Sequence, residues 1–226
     1  MKNTSIVILA IICISYLASC KKDKDGPSNE EILKNKIEDV IPQQYLDTLK
    51  RLNFPVNEGT TPPNMEGAFY VSPLILKASN ISGDKPGNAF LSSKVKFFDQ
   101  HNDDFGISLI GEHVLTLRDT SIVTAISGSG NNFTIYGKVK STYGSYSAIF
   151  ATIISGVKEG NNIKNYTIGL INIDNSKGGT GIFVPEGKAR IAYDSDLITE
   201  SIEYDAKTAN SGNEKTLKLV KPLGGD

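Results

Sequence analysis

The chain has 226 residues with 24 basic and 25 acidic side chains, which gives a formal net charge of −1. A near-neutral chain without a basic stripe lacks the electrostatic footprint of a nucleic-acid-binding protein, so we expect no nucleic-acid partner. The length fits one core domain of ordinary size, about 100–200 residues, flanked by terminal segments.

The two cysteines, Cys13 and Cys20, both lie near the start of the chain. Residues 6–14 form an apolar run that is too short to span a membrane, since a spanning helix needs about 20 apolar residues. Such a run after a basic residue is typical of a signal peptide, predicted here for residues 1–19. Cleavage there removes Cys13, so we expect a mature chain without a disulfide, a cysteine nucleophile or a cysteine-based zinc site.

The residues Leu17, Ala18, Ser19 and Cys20 resemble the lipobox of bacterial lipoproteins. The resemblance implies that Cys20 carries acyl chains such as palmitate and that residues 20–28 tether the protein to a membrane. Two or more acyl chains hold a soluble domain stably at a bilayer. An ordinary secretory signal, with the cysteine there by chance, is the alternative.

A charged run follows the cysteine at residues 21–25, and its first residue is lysine rather than aspartate. It resembles the sorting segment of surface-exposed lipoproteins in Bacteroidetes-type bacteria. The expected location is therefore the outer membrane, with the protein lipid-anchored on the cell surface. A periplasmic orientation stays open. A solvated tether is the simpler interpretation of the charges, and it is compatible with a sorting segment.

Residues 29–66 are predicted to form a helical collar followed by a Pro-rich connector. Ser28 and Glu31 have the capping-box spacing at the start of the first helix. Apolar residues recur at three- and four-residue steps behind this cap, and Pro42 ends or kinks the helix. A second short helix is predicted over residues 43–52.

Residues 67–202 are predicted to form an all-β domain. The alternation at Phe133, Ile135 and Val139 is typical of a strand with one face in a core and the other in water. Gly- and Asn-rich turns between such runs indicate hairpins, including a tip at residues 143–146. Strands are predicted over residues 68–71, 92–98, 105–110, 114–117, 122–127, 133–140, 146–155, 166–173, 182–184 and 189–193, with a polar tail over 203–226.

The spacing of these strands leaves no room for helix-length inserts, which argues against a parallel sheet. The expected fold is an antiparallel meander closed as a lipocalin-like barrel, with a β-sandwich as the alternative. The barrel resembles lipocalins in strand number and spacing, but the chain contains no Trp and so lacks their Gly-x-Trp motif. Residues 61–67 and 192–196 are similar to lipoproteins of gut-type Bacteroidetes bacteria, which implies no particular activity.

The sequence shows no catalytic constellation. His101 lies beside Asp103 and Asp104 without a third metal ligand at a recognisable spacing, and His113 follows Glu112 at a strand junction. No nucleophile elbow or phosphate-binding loop is present. We therefore expect no catalytic residue, no cofactor and no enzyme activity. A hydrolase with two carboxylates facing each other across a cleft is the alternative.

Two sets of side chains are candidate binding residues. Asp194 and Asp196 offer oxygens of the kind that Ca²⁺ takes, but no EF-hand loop follows them, so no metal site is predicted beyond these two candidates. Exposed tyrosines can stack on sugars or partners, although packing between strands is the alternative. The tyrosines on or beside neighbouring strands are Tyr136, Tyr143, Tyr146 and Tyr166.

The expected function is that of a lipid-anchored extracytoplasmic binding module for a small apolar or glycan ligand. The alternative is a structural or interaction subunit of an outer-membrane assembly, with residues 29–52 as its docking surface. The expected partners are the membrane, through Cys20, and either a small ligand or an outer-membrane protein.

Overall fold

The computed structural model describes residues 26–114, 119–120 and 123–204. The predicted signal peptide, Cys20, most of the tether and nearly all of the tail lie outside these residues, as does part of the strands predicted at 114–117 and 122–127.

Helix α1 spans Asn29–Val40 and helix α2 spans Gln43–Arg51. The strands are β1 Thr60–Thr61, β2 Gly67–Val71, β3 Leu74–Ser79, β4 Ser93–His101, β5 Gly106–Glu112, β6 Asp119–Thr120, β7 Val123–Ser129, β8 Asn132–Tyr143, β9 Tyr146–Glu159, β10 Asn162–Lys177, β11 Ala189–Asp194 and β12 Ile198–Ile202.

The two helices begin and end at signals that are local in sequence. Ser28 Oγ accepts a hydrogen bond from the Glu31 N–H at 3.3 Å, which satisfies one of the free donors at the start of α1. Ile41 then adopts an extended conformation with φ −135°, because a residue that precedes proline is biased away from the helical region. Pro42 follows and caps α2. The prediction of two helices separated at Pro42 is confirmed.

The twelve strands in the described residues form one mixed sheet that forks at β10. Strands β7, β8, β9 and β10 are joined in sequence by antiparallel ladders. The far edge of β10 pairs with β12 at Ile163 and Lys164, and with β11 from Thr167 to Ile171. One arm continues from β12 through β2, β4 and β5 to β6, and the other from β11 to β3.

The sheet curls into an open half-barrel, so the prediction of a closed barrel is wrong, while the broader prediction of an all-β fold is confirmed. Strand β5 faces β7, where the Ile126 N–H donates to the Phe105 carbonyl at 2.9 Å. The outer edge of β5 is occupied by the short strand β6, which pairs with Ile110 and Gly111. A strand edge carries one ladder, so β5 cannot also form a full ladder with β7.

The order of the strands also departs from the predicted meander. Strand β12, near the end of the described chain, pairs with β2 near its beginning, and β1 pairs with β7 in parallel. Strands β1, β3, β6 and β12 were not predicted from the sequence. Residues 182–184, predicted as a strand, lie in a loop from which Phe183 and Val184 pack into the core. Their apolar character reflects burial and not strand pairing.

The curled sheet has a buried layer on each of its two faces. The inner core lies inside the curl and includes Phe69, Phe97, Phe133, Phe150 and Leu170. The outer core lies between the helices and the opposite face of the sheet, and includes Val40, Ile41, Leu49, Phe54, Tyr136 and Ile153.

The outer core explains why one strand face is buried although the periodicity of the sequence predicts that it lies in water. The outer face of β8 was expected to lie in water, but Thr134 and Tyr136 on that face are buried. Tyr136 packs with residues of α1 and α2, and Thr134 Oγ1 accepts a hydrogen bond from the Asn57 N–H of the connector. The helices therefore pack on the sheet as a second layer, which is how a helix and a sheet each bury their apolar face.

Candidate functional site

An open cleft of about 350 Å³ lies between the helices and the edge of the sheet. Its size falls within the range of small-molecule pockets, about 300–1,000 Å³. The cleft, called the helix–sheet cleft below, has apolar walls, a polar floor and a charged rim. The walls are formed by Leu33, Ile37, Leu46 and Val56, the floor by Ser127 and Tyr136, and the rim by Glu30, Lys34, Glu38, Lys50 and Glu58.

Side-chain contacts beyond the cleft hold α1 and α2 against the sheet. Lys36 Nζ contacts Asp104 Oδ2 at 2.6 Å, and the Lys138 ammonium group donates to the Asp39 carbonyl. On α2, the Tyr45 hydroxyl donates to Glu186 Oε1 at 2.7 Å. Because these contacts join elements far apart in sequence, the width of the cleft is set by tertiary structure.

The floor of the cleft is a short chain of hydrogen-bonding groups. Ser127 Oγ donates to the Asn57 carbonyl at 2.6 Å, and the Tyr136 hydroxyl lies 3.2 Å from Ser127 Oγ. Burial raises the pKa of Tyr136 to about 12, and the negative charge of Glu58 adds to this effect. Tyr136 therefore remains a neutral phenol throughout the physiological range.

The rim carries both signs of charge. Lys34 Nζ lies 3.8 Å from Glu38 Oε1, and Lys50 Nζ lies 3.9 Å from Glu58 Oε1. These pairs are solvent-exposed and long, so each contributes at most about 1 kcal/mol. With three carboxylates and two ammonium groups, the rim has a negative excess, and Glu30 has no ion-pair partner among the described residues.

The four tyrosines predicted as ligand-binding residues lie at three separate places. Tyr136 lies at the floor of the helix–sheet cleft. Tyr166 is buried in the inner core beside the fork of the sheet. Tyr143 and Tyr146 oppose each other at the tip of the β8–β9 hairpin and are 47% and 44% exposed. Tyr143 and Tyr146 therefore share one exposed place on the protein, whereas Tyr136 lies at another and Tyr166 is enclosed in the core.

The hairpin tip has the turn that the sequence predicts. Gly144 adopts φ 58°, a left-handed conformation that favours glycine in two-residue hairpin turns. The Tyr146 ring packs on Gly179, where an added Cβ would lie 2.6 Å from ring carbons. Tyr143 and Tyr146 form a directly opposed pair, so their rings project from the same face of the hairpin.

Asp194, one of the two Ca²⁺ candidates, is fully buried at the turn between β11 and β12. Thr199 Oγ1 donates to its Oδ2 at 2.7 Å, and its Oδ1 has no hydrogen-bond partner among the described residues. Burial raises the pKa of Asp194 to about 6, and the negative charge of Asp196 adds to the rise. Asp196 Oδ1 accepts the Ile198 N–H at 3.0 Å.

The titratable side chains singled out from the sequence do not assemble into one cluster. His101 is the final residue of β4, and His113 follows β5 with φ 58°. Across the part of the chain that the structure describes, no three His, Cys, Asp or Glu side chains are grouped so that they could hold a metal ion. Calcium binding by Asp194 and Asp196 stays a prediction.

Neither α1 nor α2, the helices of the described ranges, is long and apolar enough to cross a membrane.

The cleft was not predicted from the sequence, because its walls and floor come from two helices, the connector and a hairpin that lies far from them in the chain. Leu33 and Ile37 come from α1, Val56 from the connector, and Ser127 from β7. The signal that was available is the apolar stripe of α1, which requires a covering surface elsewhere in the chain. It does not say which strands provide that surface.

No protein-family model, curated protein or solved structure matches this chain. Its candidate function therefore depends on the chemistry of the helix–sheet cleft. Apolar walls with a few convergent polar groups are the usual composition of a small-molecule site.

Proposed function

We propose that this protein is a lipid-anchored extracytoplasmic binding module whose helix–sheet cleft takes a small ligand with an apolar body. The observation that carries the proposal is the cleft itself, which has about 350 Å³ of space between apolar walls and a hydroxyl-lined floor. An apolar ligand gains about 25 cal/mol for each Å² of apolar surface that it removes from water. The floor and rim add the polar contacts that orient it.

The lipid anchor is supported by the sequence around Cys20. The described chain begins at Gly26, six residues after Cys20. A fully extended segment of this length spans at most about 20 Å. Acylation of Cys20 would therefore hold α1, and with it the cleft, close to the membrane surface. An outer-membrane location on the cell surface belongs to the same proposal.

Intact-mass spectrometry of protein from its native host tests the anchor. The expected result is a chain that begins at Cys20 and carries acyl chains. An intact leader, or an unmodified sulfur at position 20, would contradict this part of the proposal without bearing on the cleft.

Native mass spectrometry tests the cleft. Protein released from native membranes is expected to retain a small ligand, and Ile37→Trp is expected to abolish retention because the indole fills the cleft. Asn35→Trp, on the exposed side of α1, is the matched control and should retain the ligand. Equal retention by both variants, with both folded, would sink the cleft proposal.

A glycan is the second ligand class, and it is favoured by the two exposed tyrosines at the hairpin tip. Rings such as those of Tyr143 and Tyr146 offer flat apolar area with a polar edge, which suits stacking on sugars. Tyr143→Ala and Tyr146→Ala are expected to reduce binding on a glycan array, whereas Tyr70→Ala, at another exposed tyrosine, is not. An array without any bound glycan would remove this class.

The alternative function, that of an interaction subunit, assigned a docking role to residues 29–52. Val40, Ile41 and Leu49 of this segment are fully buried against the sheet. A partner would therefore meet the charged side of the helices and not their apolar stripe. Docking through this segment stays a prediction, tested by deleting charges on that side and measuring partner recovery.

A further inference from the structure

The Tyr136 hydroxyl at the floor of the helix–sheet cleft donates its own proton to Ser127, so its oxygen can only accept a hydrogen bond from a ligand. The 2.6 Å contact between Ser127 Oγ and the Asn57 carbonyl needs a proton, which only the serine hydroxyl can supply. Ser127 therefore has no proton left for Tyr136. The 3.2 Å contact between them is then a bond from the Tyr136 hydroxyl to Ser127 Oγ. This leaves the Tyr136 oxygen as an acceptor at the floor.

The electrostatics above the floor favour positive charge. Glu30, Glu38 and Glu58 outnumber Lys34 and Lys50 around the cleft. Both lysines lie beside rim carboxylates, at 3.8 Å and 3.9 Å, so their charges are partly offset. A ligand group that enters the cleft therefore meets an acceptor below and a negative excess around it.

We propose that the natural ligand of the cleft is an aliphatic amine, a refinement that rests on the binding function proposed for this cleft. The alkyl body lies between Leu33, Ile37 and Leu46. The ammonium group donates to the Tyr136 hydroxyl oxygen and faces the rim carboxylates.

The choice of an ammonium head group follows from a comparison of the hydrogen-bonding groups that each candidate head group would leave without a partner. An ammonium has three donors and no acceptor, so it matches a site that offers acceptors. An alkyl carboxylate has only acceptors, so it would face the Tyr136 oxygen at the floor and a rim that carries one more carboxylate than ammonium groups. Such unpaired polar contacts select against the wrong ligand, typically by more than the correct contact contributes. An alcohol has one donor and ranks between the two.

Isothermal titration of three octyl probes tests the inference. Octylammonium, octanol and octanoate are titrated at neutral pH into the full chain carrying Cys20→Ala, which cannot be acylated. Octylammonium is expected to bind about tenfold or more tightly than octanoate, since a hydrogen bond to a charged group contributes about 1.5–3 kcal/mol. Tyr136→Phe should remove about tenfold in octylammonium affinity and reduce octanol affinity by less, because the hydrogen bond that the alcohol donates is uncharged.

A pair of neighbouring glutamates provides the matched control. Glu30 lines the cleft and Glu31 does not, although both are exposed in the first turn of α1. Glu30→Gln is expected to weaken octylammonium binding severalfold, with a loss that shrinks at high salt, and Glu31→Gln is not. Because both variants remove one exposed charge, a shared loss would mean non-specific attraction and would overturn the assignment.

The outcomes separate this inference from the function beneath it. If all three probes bind with similar affinity, or octanoate binds best, the amine assignment is wrong and the binding function stands. If Tyr136→Phe binds octylammonium as tightly as the parent chain does, the floor acceptor has no role and the assignment is again wrong. If none of the probes binds, the cleft is not a site for alkyl ligands, and both proposals fail.

Discussion

Arg190 and Asp84 form a two-point ion pair in the interior of the protein. Arg190 Nε and one terminal nitrogen donate to the two oxygens of Asp84 at 2.7 and 2.9 Å. Both side chains are shielded from solvent, with exposures of 0% and 1%. Burial alone would raise the pKa of Asp84, but the hydrogen bonds from Arg190 and Ser79 outweigh it and lower the pKa. The pair joins β11 to the loop that follows β3.

Removing one partner of this pair is expected to destabilise the protein strongly. Asp84→Asn removes the carboxylate that faces the buried Arg190 charge, and breaking a buried pair in this way costs about 3–5 kcal/mol in comparable cases. Urea unfolding at neutral pH measures the change. Replacing both partners, with Asp84→Leu and Arg190→Met, should lower the free energy of unfolding less than Asp84→Asn does, because both charges of the pair are removed. A double variant that is less stable than the single one would contradict this account.

Tyr166→Phe is expected to leave stability unchanged or to raise it by up to about 1 kcal/mol. The Tyr166 hydroxyl is fully buried and has no hydrogen-bond partner within the described ranges, so its removal relieves a desolvation cost. Tyr136→Phe is the matched comparison, because it removes a hydroxyl that is bonded to Ser127. The free energy of unfolding of Tyr136→Phe should fall by about 1 kcal/mol. Thermal unfolding of both variants distinguishes them, and a clear loss in Tyr166→Phe would mean that its hydroxyl has a partner such as a buried water.

Asp194 is expected to make the protein less stable as the pH rises from about 4 to above 6. Its folded-state pKa of about 6 lies above the ordinary aspartate value, because burial and Asp196 disfavour its charged form. Between these values the folded chain binds more protons than the unfolded chain, so the free energy of unfolding falls with increasing pH. The full effect is on the order of 3 kcal/mol, since one pKa unit corresponds to about 1.4 kcal/mol. Urea unfolding at pH 4.5 and pH 7.5 measures it.

Two substitutions check that Asp194 is the source of this pH dependence. Asp194→Asn keeps an acceptor for Thr199 but cannot ionise, so it should flatten this part of the profile and raise stability at pH 7.5. Asp196→Asn removes the neighbouring charge and should shift the transition to lower pH. Parent and Asp194→Asn profiles that run parallel would exclude Asp194 as the source.

Gly169→Ala is expected to loosen the attachment of α2 to the sheet. A Cβ at Gly169 would lie 2.9 Å from a Phe54 ring carbon and 3.3 Å from a Leu49 methyl carbon, in the outer core. Overpacking of this kind costs about 1–3 kcal/mol. Adding Phe54→Leu should recover part of the loss, because residues in contact give non-additive effects. Purely additive losses in denaturant unfolding would show that the contact does not limit the packing.

Local sequence signals predicted the helices and hairpins well. The Ser28 cap, the break at Pro42 and the tight turn at Gly144 each depend on a few neighbouring residues, and the structure has all three. Residues 182–184 show where such signals fail. The pattern of three apolar residues does not distinguish a short strand from a buried loop. Here Phe183 and Val184 are buried in a loop.

The candidate site was less predictable than the fold. The tyrosines were grouped by their positions on neighbouring strands, but adjacent residues on a strand point to opposite faces. Tyr136 and Tyr143 lie on the same strand, yet one is in the outer core and the other at the exposed tip. Glu30 and Val56 could not be associated with Tyr136 by spacing, because they meet only when α1 and the connector fold onto the sheet.

The sequence by itself determined that this chain is mainly β, that two short helices precede the strands, and where most hairpins turn. These features depend on the conformational preferences of neighbouring residues and on two-residue or helical periodicity. Tertiary structure alone decided that β12 returns beside β2, that the half-barrel stays open between β5 and β7, and that the helices leave a cleft above Tyr136. Such contacts join residues far apart in the chain. Which surfaces meet depends on how two complete layers pack, and short-range sequence patterns contain no information about that choice.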